Sequence, residues 1–207
     1  MHATLDHNVL NKLKAIDYCV RREGEEAMLA LVEGKNPKDI SGVVSRNNGT
    51  LISNGDSDVI KNIDELPFPE RKKFWGLTEA EKKTVDVSYI CSIRGCPYRC
   101  NYCASPFHWK RDKTQYRSPV SVIDEMRMLK QKYWSSEKEY DFSASANISS
   151  KSELIIKDNT IVYFVDDVFT VKKNRVKEIL RMMIDQDLGM DWKCEARTDH
   201  LDEEICE

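Results

Sequence analysis

"GCPYRCNYC", residues 95–103, sets Cys96, Cys100 and Cys103 in one short loop. Spacings of three and two intervening residues in a tightly coiled loop turn the three thiolates toward a common centre. Soft thiolates select zinc or iron–sulfur clusters over hard cations. A closed zinc site takes four ligands, usually with a second cysteine or histidine pair further along the chain. No such pair follows: Cys194 and Cys206 are separated by eleven residues with no matching His spacing, and His108 and His200 are available only singly. Three protein ligands leave one coordination position open to a substrate or cofactor, which is a catalytic arrangement rather than a closed structural one.

The flanks of the loop read as alternating strands and helices. "VDVSYICSI" (85–93) is a buried-strand pattern that runs straight into the cysteines. "SPVSVIDEMRMLKQKY" (118–133) is a helix, with Ser118 able to cap it, Pro119 at its first position and Val122, Met126, Leu129 and Tyr133 as its apolar stripe. "IVYFVDD" (161–167) is an unbroken apolar run ending in two carboxylates, the pattern of a central parallel strand. A helix over 172–187 follows, with Val176, Ile179, Leu180, Met183 and Ile184 on one face. "MDWKCEAR" (190–197) reads as a third strand and "HLDEEICE" as the start of a third helix. Residues 134–160 are polar and Ser-rich and read as a surface insertion.

Upstream of the loop, "IDYCVRREGE" (16–25) reads as a short strand and turn, and "EEAMLALVEG" (25–34) as a helix closed by Gly34. "GVVSRNNGTLISNG" (42–55) is a β-hairpin signal, because Asn48-Gly49 supplies the positive φ of a tight turn. "DELPFPERKKF" (64–74) carries two prolines and suits an extended connector.

Composition narrows the function classes. In 207 residues, Lys+Arg of 32 against Asp+Glu of 35 gives a net charge of −3, which argues against a strongly basic nucleic-acid binder. No apolar run approaches a membrane span, and the N-terminus lacks a signal-peptide pattern, so the expected location is cytoplasmic. Seven cysteines, an odd number, argue for reduced thiols or metal ligation over a disulfide framework. Cys19, Cys91 and Cys194 lie in apolar strand patterns and read as small hydrophobes, although Cys91 is a tempting fourth ligand.

The C-x-x-x-C-x-x-C spacing after a first strand, with Tyr102 before the last cysteine, resembles the radical S-adenosylmethionine (SAM) superfamily. The stretch "SIRGCPYRCNYCASPFHWKRDKTQYRSPVSVIDEM" resembles the branch with an N-terminal cobalamin-binding domain, which includes anaerobic porphyrin cyclases and many methylases. "DYCVRREGEEAMLAL" resembles the last strand–helix of that domain, and "VYFVDDVFTVKKNRVKEIL…WKCEARTDHLDEE" the second and third barrel units.

The resemblance implies an α/β fold: a partial parallel (β/α) barrel, about three of six units, over residues 81–207. Before it would come the tail of a Rossmann-like cobalamin-binding domain (1–40) and a hairpin and Pro-containing linker (41–80). Cys96, Cys100 and Cys103 would hold a 4Fe–4S cluster whose remaining iron binds SAM, and an external one-electron donor such as flavodoxin or ferredoxin would drive SAM cleavage on a small-molecule substrate. Tyr102 would pack by the adenine or else cover the barrel mouth. Asp166 or Asp167 would accept from the SAM amino group or else cap the following helix. Arg197 would meet the SAM carboxylate or else pair with Glu195 or Asp199. The upstream Asp-x-His-x-x-Gly run that ligates cobalt in this branch is not among these residues, and His2 matches a later part of that domain. The expectation is therefore an internal slice of a longer enzyme whose exposed strand edge favours poor solubility or dimerisation. Two alternatives stand beside it: a non-catalytic zinc- or partner-binding module, and a truncated cluster-binding protein that does not cleave SAM.

Overall fold

A computed structural model describes residues 8–71, 89–109, 114–131 and 161–206. The expected insertion at 134–160, the start of the expected strand at 85–88, Tyr133 and His2 lie outside the described residues. In chain order the main elements are α1 (Val9–Lys12), β1 (Tyr18–Val20), α2 (Glu25–Val32), β2 (Val43–Asn47), β3 (Thr50–Ser53), β4 (Tyr89–Ile90) and β5 (Ile93–Arg94). They continue with α3 (Ser105–Trp109), β6 (Gln115–Tyr116), α4 (Pro119–Leu129), β7 (Ile161–Phe164), α5 (Lys173–Asp185), β8 (Asp191–Cys194) and α6 (Glu203–Cys206). The chain divides into two units: residues 1–65 with 93–116, and residues 66–92 with 117–207.

The first unit is built on a three-stranded antiparallel sheet, β1-β2-β3. Asn48 and Gly49 have φ of 49° and 81°, so the β2–β3 hairpin turns as its Asn-Gly pair dictates. β2 is buried on both faces. Val43 packs with Ala27, Ala30 and Ile40, and Val44 packs with Leu10 and Cys19. The strand–helix pair that the sequence groups with residues 1–40 shares this sheet with the hairpin that the sequence assigns to a linker. β1 finds its hydrogen-bond partner in β2, Tyr18 opposite Ser45 and Val20 opposite Val43, and the pairing is antiparallel. Helix α2 buries its small residues Ala27 and Ala30 and leaves Met28, Leu29 and Val32 exposed.

The second unit is α/β with a parallel sheet in the order β4-β7-β8. β–α–β connections require such parallel pairing, as the alternation of strand and helix patterns implies. Ile90 aligns with Phe164, and Phe164 with Cys194. Helices α4 and α5 pack together, and their Val122, Ile123, Met126, Leu129, Val176, Ile179 and Met183 form one core with Ile90, Val162, Phe164 and Phe169. The Phe164 and Phe169 rings stack at 4.5 Å. Ser118 caps α4 by accepting from Ser121 N at 3.1 Å, and Pro119 opens the helix. Ile184 departs from the expected stripe of α5. It is 76% exposed, because Arg175, not Ile184, completes the buried face with Val176, Ile179 and Met183.

Two glycines with the same φ of 81° separate backbone strain from steric clash. At Gly49 an added Cβ meets nothing within 4 Å, whereas at Gly42 it would lie 2.7 Å from Ser57 N and 2.8 Å from Ser57 Cα. Gly49→Ala is expected to cost about 1–2 kcal/mol from the left-handed backbone alone, and Gly42→Ala distinctly more. Urea unfolding midpoints of the two variants check this, and equal losses would contradict it.

Candidate functional site

Because β4, β7 and β8 run parallel, the residues after their last positions lie along one edge of the sheet. These are Ser92, the Asp166-Asp167 pair, and Glu195 to Arg197. The two aspartates have different surroundings. Asp166 is only 2% exposed, and both its oxygens are engaged: Oδ1 accepts from Ser92 N at 2.6 Å and Oδ2 from Ser92 Oγ at 2.5 Å. Asp167, the next residue, is exposed. The alternation of buried and exposed residues along β7 continues past Phe164, so the Asp166 carboxylate is buried and the Asp167 side chain exposed.

Arg197 is half-buried and forms a two-pronged pair with Asp199, Nε to Oδ1 at 2.9 Å and Nη2 to Oδ2 at 2.8 Å. That pairing holds the Asp199 carboxyl below the usual carboxylate range. Glu195 accepts from the Tyr163 hydroxyl at 2.8 Å, and this bond pushes the Tyr163 hydroxyl above its ordinary value. Lys193 lies over the Tyr163 ring at 4.3 Å, and the Tyr89 ring tilts against Tyr163 at 5.8 Å. Tyr89, Tyr163 and Lys193 are in register across the three strands and form a polar, aromatic row.

Beneath this edge lies a set of buried charges. Glu125, 1% exposed on α4, takes Arg71 on one oxygen and Arg117 on the other. Arg71 also donates to Tyr89 O at 2.8 Å, and Arg117 to Cys91 O at 3.3 Å and Ser121 O at 2.9 Å. Losing one member of such a buried pair costs about 3–5 kcal/mol, because it strands a charge away from water. Arg175 donates from Nε to Arg117 O at 2.8 Å and from Nη2 to Ser92 O at 3.1 Å.

In the first unit, the cysteine loop is closed at its base by a two-stranded antiparallel ribbon, with Ile93 opposite Tyr116 and Arg94 opposite Gln115. Gly95 turns the chain out of this ribbon with φ of 93°, and a Cβ there would press within 3.2 Å of Trp109 Cβ. Several ties fasten the loop to the antiparallel sheet and α2. Arg94 pairs with buried Glu23 and with Glu25, Arg22 donates to His108 O at 2.7 Å, and Gln115 donates to Ile60 O. Glu23 also accepts from Ile60 N at 2.6 Å. Asp56 binds both Arg21 and Arg22. Burial opposes its ionisation, but hydrogen bonds and charge from the two arginines outweigh that and hold the carboxyl below its ordinary value.

The loop places Cys96 in a buried position and Cys100 and Cys103 in half-buried ones, and none of the seven cysteines forms a disulfide. Cys103 N donates to Cys100 O at 3.1 Å, which curls the end of the loop, and Cys103 Sγ accepts from Ser105 N at 3.4 Å. An N–H bond to sulfur of this kind tunes thiolate-bound iron. The donor set therefore suits a soft metal centre in chemistry: three reduced thiols on one tethered loop. Among the described residues, no three Cys, His, Asp or Glu side chains already converge as metal ligands. Assembling a centre here means drawing the loop closed around it, a coupling of metal binding to local folding. Tyr102 is 92% exposed beside these cysteines.

Of the residues singled out from the sequence, the structure places Cys96, Cys100, Cys103 and Tyr102 on one loop of the first unit, and Asp166, Asp167 and Arg197 on one sheet edge of the second. Cys91, expected to pack as a small hydrophobe, is exposed. Cys19 is buried as expected. Arg94, beside the loop, is held in ion pairs with Glu23 and Glu25. Sequence reasoning passed over Ser92, Arg117, Glu125 and Arg175. A signal existed for two of them: Glu125 and Arg175 stand on the apolar stripes of their helices, where a charge must find a partner.

No protein-family model matches the chain. An uncharacterised methyltransferase of Pyrococcus horikoshii is 26% identical over 203 residues, which is 95% of this chain and 38% of that protein. An anaerobic magnesium-protoporphyrin IX monomethyl ester cyclase of Rubrivivax gelatinosus is 26% identical over 218 residues, 99% of this chain and 34% of that protein. The chain thus spans about a third of the length of these relatives. Among solved structures, the radical SAM methyltransferase TsrM of Kitasatospora setae, with tryptophan substrate and a SAM analogue bound, aligns with TM-score 0.52 at 20% identity. The match covers 83% of this chain and 30% of that one, and what it shows is a shared fold.

Cys194 supplies a check on which thiols are available. Burial, then the charges of Asp166 and Glu195, push its thiol from 9.0 up to about 11. Alkylation proceeds through the thiolate, so at pH 8 Cys194 holds about a hundredfold less reactive form than a thiol at 9.0. Peptide mass spectrometry after iodoacetamide treatment should find Cys194 nearly unlabelled at pH 8, with labelling rising toward pH 11. Rapid labelling at pH 8 would contradict this.

Proposed function

We propose that this homologue of a methyltransferase and of the anaerobic porphyrin cyclases, sharing the fold of a radical SAM methyltransferase, is a radical SAM enzyme or a part of one. The observation that carries the proposal is the loop of Cys96, Cys100 and Cys103, which follows the first described strand of a parallel α/β sheet in a chain aligned over nearly its whole length with those relatives. On this reading the three cysteines hold a 4Fe–4S cluster and leave one iron for SAM. When bound, the cluster supplies the electron that cleaves SAM and so begins radical chemistry such as methyl transfer or oxidative cyclisation.

The chain's own residues divide the work. The ribbon β5–β6 and the ties from Arg22, Arg94 and Gln115 hold the ends of the loop, which lowers the entropy lost when the thiols gather. Exposed Tyr102 offers a flat ring for the adenine. Asp167, the exposed carboxylate of the pair, is the one assigned to the SAM amino group, because Asp166 is buried against Ser92. Arg197 reaches a carboxylate only by giving up or sharing Asp199, so the two-pronged geometry it already shows is what a SAM carboxylate would meet. An external one-electron donor and a small-molecule substrate complete the proposal. Cobalamin enters it only through the resemblance of "DYCVRREGEEAMLAL" (17–31) to the end of a cobalamin-binding domain, because the run that ligates cobalt in that branch is not among these residues.

Anaerobic reconstitution with iron and sulfide is expected to give a brown protein that shows a 4Fe–4S electron paramagnetic resonance signal on reduction. Cys100→Ala should abolish the signal. Tight stoichiometric zinc with no cluster would sink the proposal in favour of a zinc-binding module. Cluster formation without deoxyadenosine production would leave a cluster-binding protein that does not cleave SAM.

A further inference from the structure

We infer that Asp166 and Arg175 are positioning residues that grip both feet of the cysteine loop. Residues 93–116 leave the second unit after Ser92 and return to it at Arg117. Ser92 is fully buried, and its amide, hydroxyl and carbonyl are all taken by other residues. Its N–H and Oγ donate to the two oxygens of Asp166 at 2.6 and 2.5 Å. Its carbonyl accepts from Arg117 N at 3.0 Å and from Arg175 Nη2 at 3.1 Å. Arg175 reaches the other foot as well, with Nε donating to Arg117 O at 2.8 Å. One guanidinium thus bridges the carbonyls of the two residues through which the loop enters and leaves, and one carboxylate fixes the entry residue by both its backbone and its side chain.

Such a grip has a chemical consequence for the loop. Three thiols on a segment must be brought together against chain entropy, and fixing both ends of the segment lowers that cost. Asp166, Arg175, Arg117 and Ser92 are all buried, so these bonds compete little with water and hold the feet in one geometry. Asp166, one of the two aspartates offered for the SAM amino group, therefore holds Ser92. That the gripped loop serves a cluster rests on the proposed function. That the feet are gripped does not.

The test therefore has two readouts. The first is metal-free: the rate at which Cys96 is alkylated in the full, unloaded chain. The second is iron bound per chain after anaerobic reconstitution. Asp166→Ala is expected to label Cys96 at least tenfold faster than wild type and to bind less than half its iron, while far-UV circular dichroism keeps the wild-type spectrum. Asp166→Asn retains an oxygen acceptor and should recover most of both. If Asp166→Ala does not fold, Arg175→Lys answers the same question, because it keeps the charge but cannot span two carbonyls; it should give the same direction of change. Wild-type labelling in the folded variants, or faster labelling with wild-type iron uptake, overturns the inference. A wild-type chain that binds no iron overturns the proposed function instead, and the labelling rates still decide whether the feet are gripped.

Discussion

The structure turns on Ser92, a buried residue with no polar atom left to water. It lies two residues past the first described strand of the parallel sheet, and the cysteine loop begins with the next residue. The segment after β7 reaches it through Asp166, helix α5 through Arg175, and the chain returning from the loop through the amide of Arg117. If the hydroxyl or the carboxylate were missing, a buried polar group would be stranded, at a cost of about 1–3 kcal/mol or more where a charge is involved. The segment with the candidate chemistry is thus anchored by the same bonds that complete the core of the sheet.

That arrangement explains why charged residues sit inside helices that otherwise read as plain amphipathic elements. Glu125 occupies a stripe position of α4 between Val122 and Leu129, and Arg175 lies on the buried face of α5. Each would be costly there alone. Together with Arg71 and Arg117 they satisfy carbonyls at the ends of short strands, where two-residue ladders such as β4 and β5–β6 supply few hydrogen bonds of their own. The short strands and the buried arginines are two parts of one solution.

Much of the architecture was legible from residue patterns, for identifiable reasons. Asn48-Gly49 fixed the hairpin because few other dipeptides accept two positive φ angles in succession. Ser118-Pro119 marked the start of α4, and the apolar run at 161–167 marked the central parallel strand, β7. What could not be read was partnership. The strand at Tyr18–Val20 reads the same whether its neighbour is parallel or antiparallel, and only the structure shows it joined to β2. Likewise, two adjacent aspartates after a strand look equivalent in sequence, although the structure buries Asp166 against Ser92 and leaves Asp167 exposed. The three cysteines were the clearest signal in the chain. Their spacing named a chemistry, while the loop they share shows thiols that still have to be drawn together.

The proposed chemistry rests on those thiols holding a cluster with one iron reserved for SAM. Mössbauer spectroscopy of the chain reconstituted with iron-57, recorded before and after adding SAM, tests this most directly. The expected result is a 4Fe–4S spectrum in which one iron site, and only one, changes its isomer shift and quadrupole splitting when SAM is added. A spectrum with no cluster, or a cluster whose four irons are all indifferent to SAM, would contradict it.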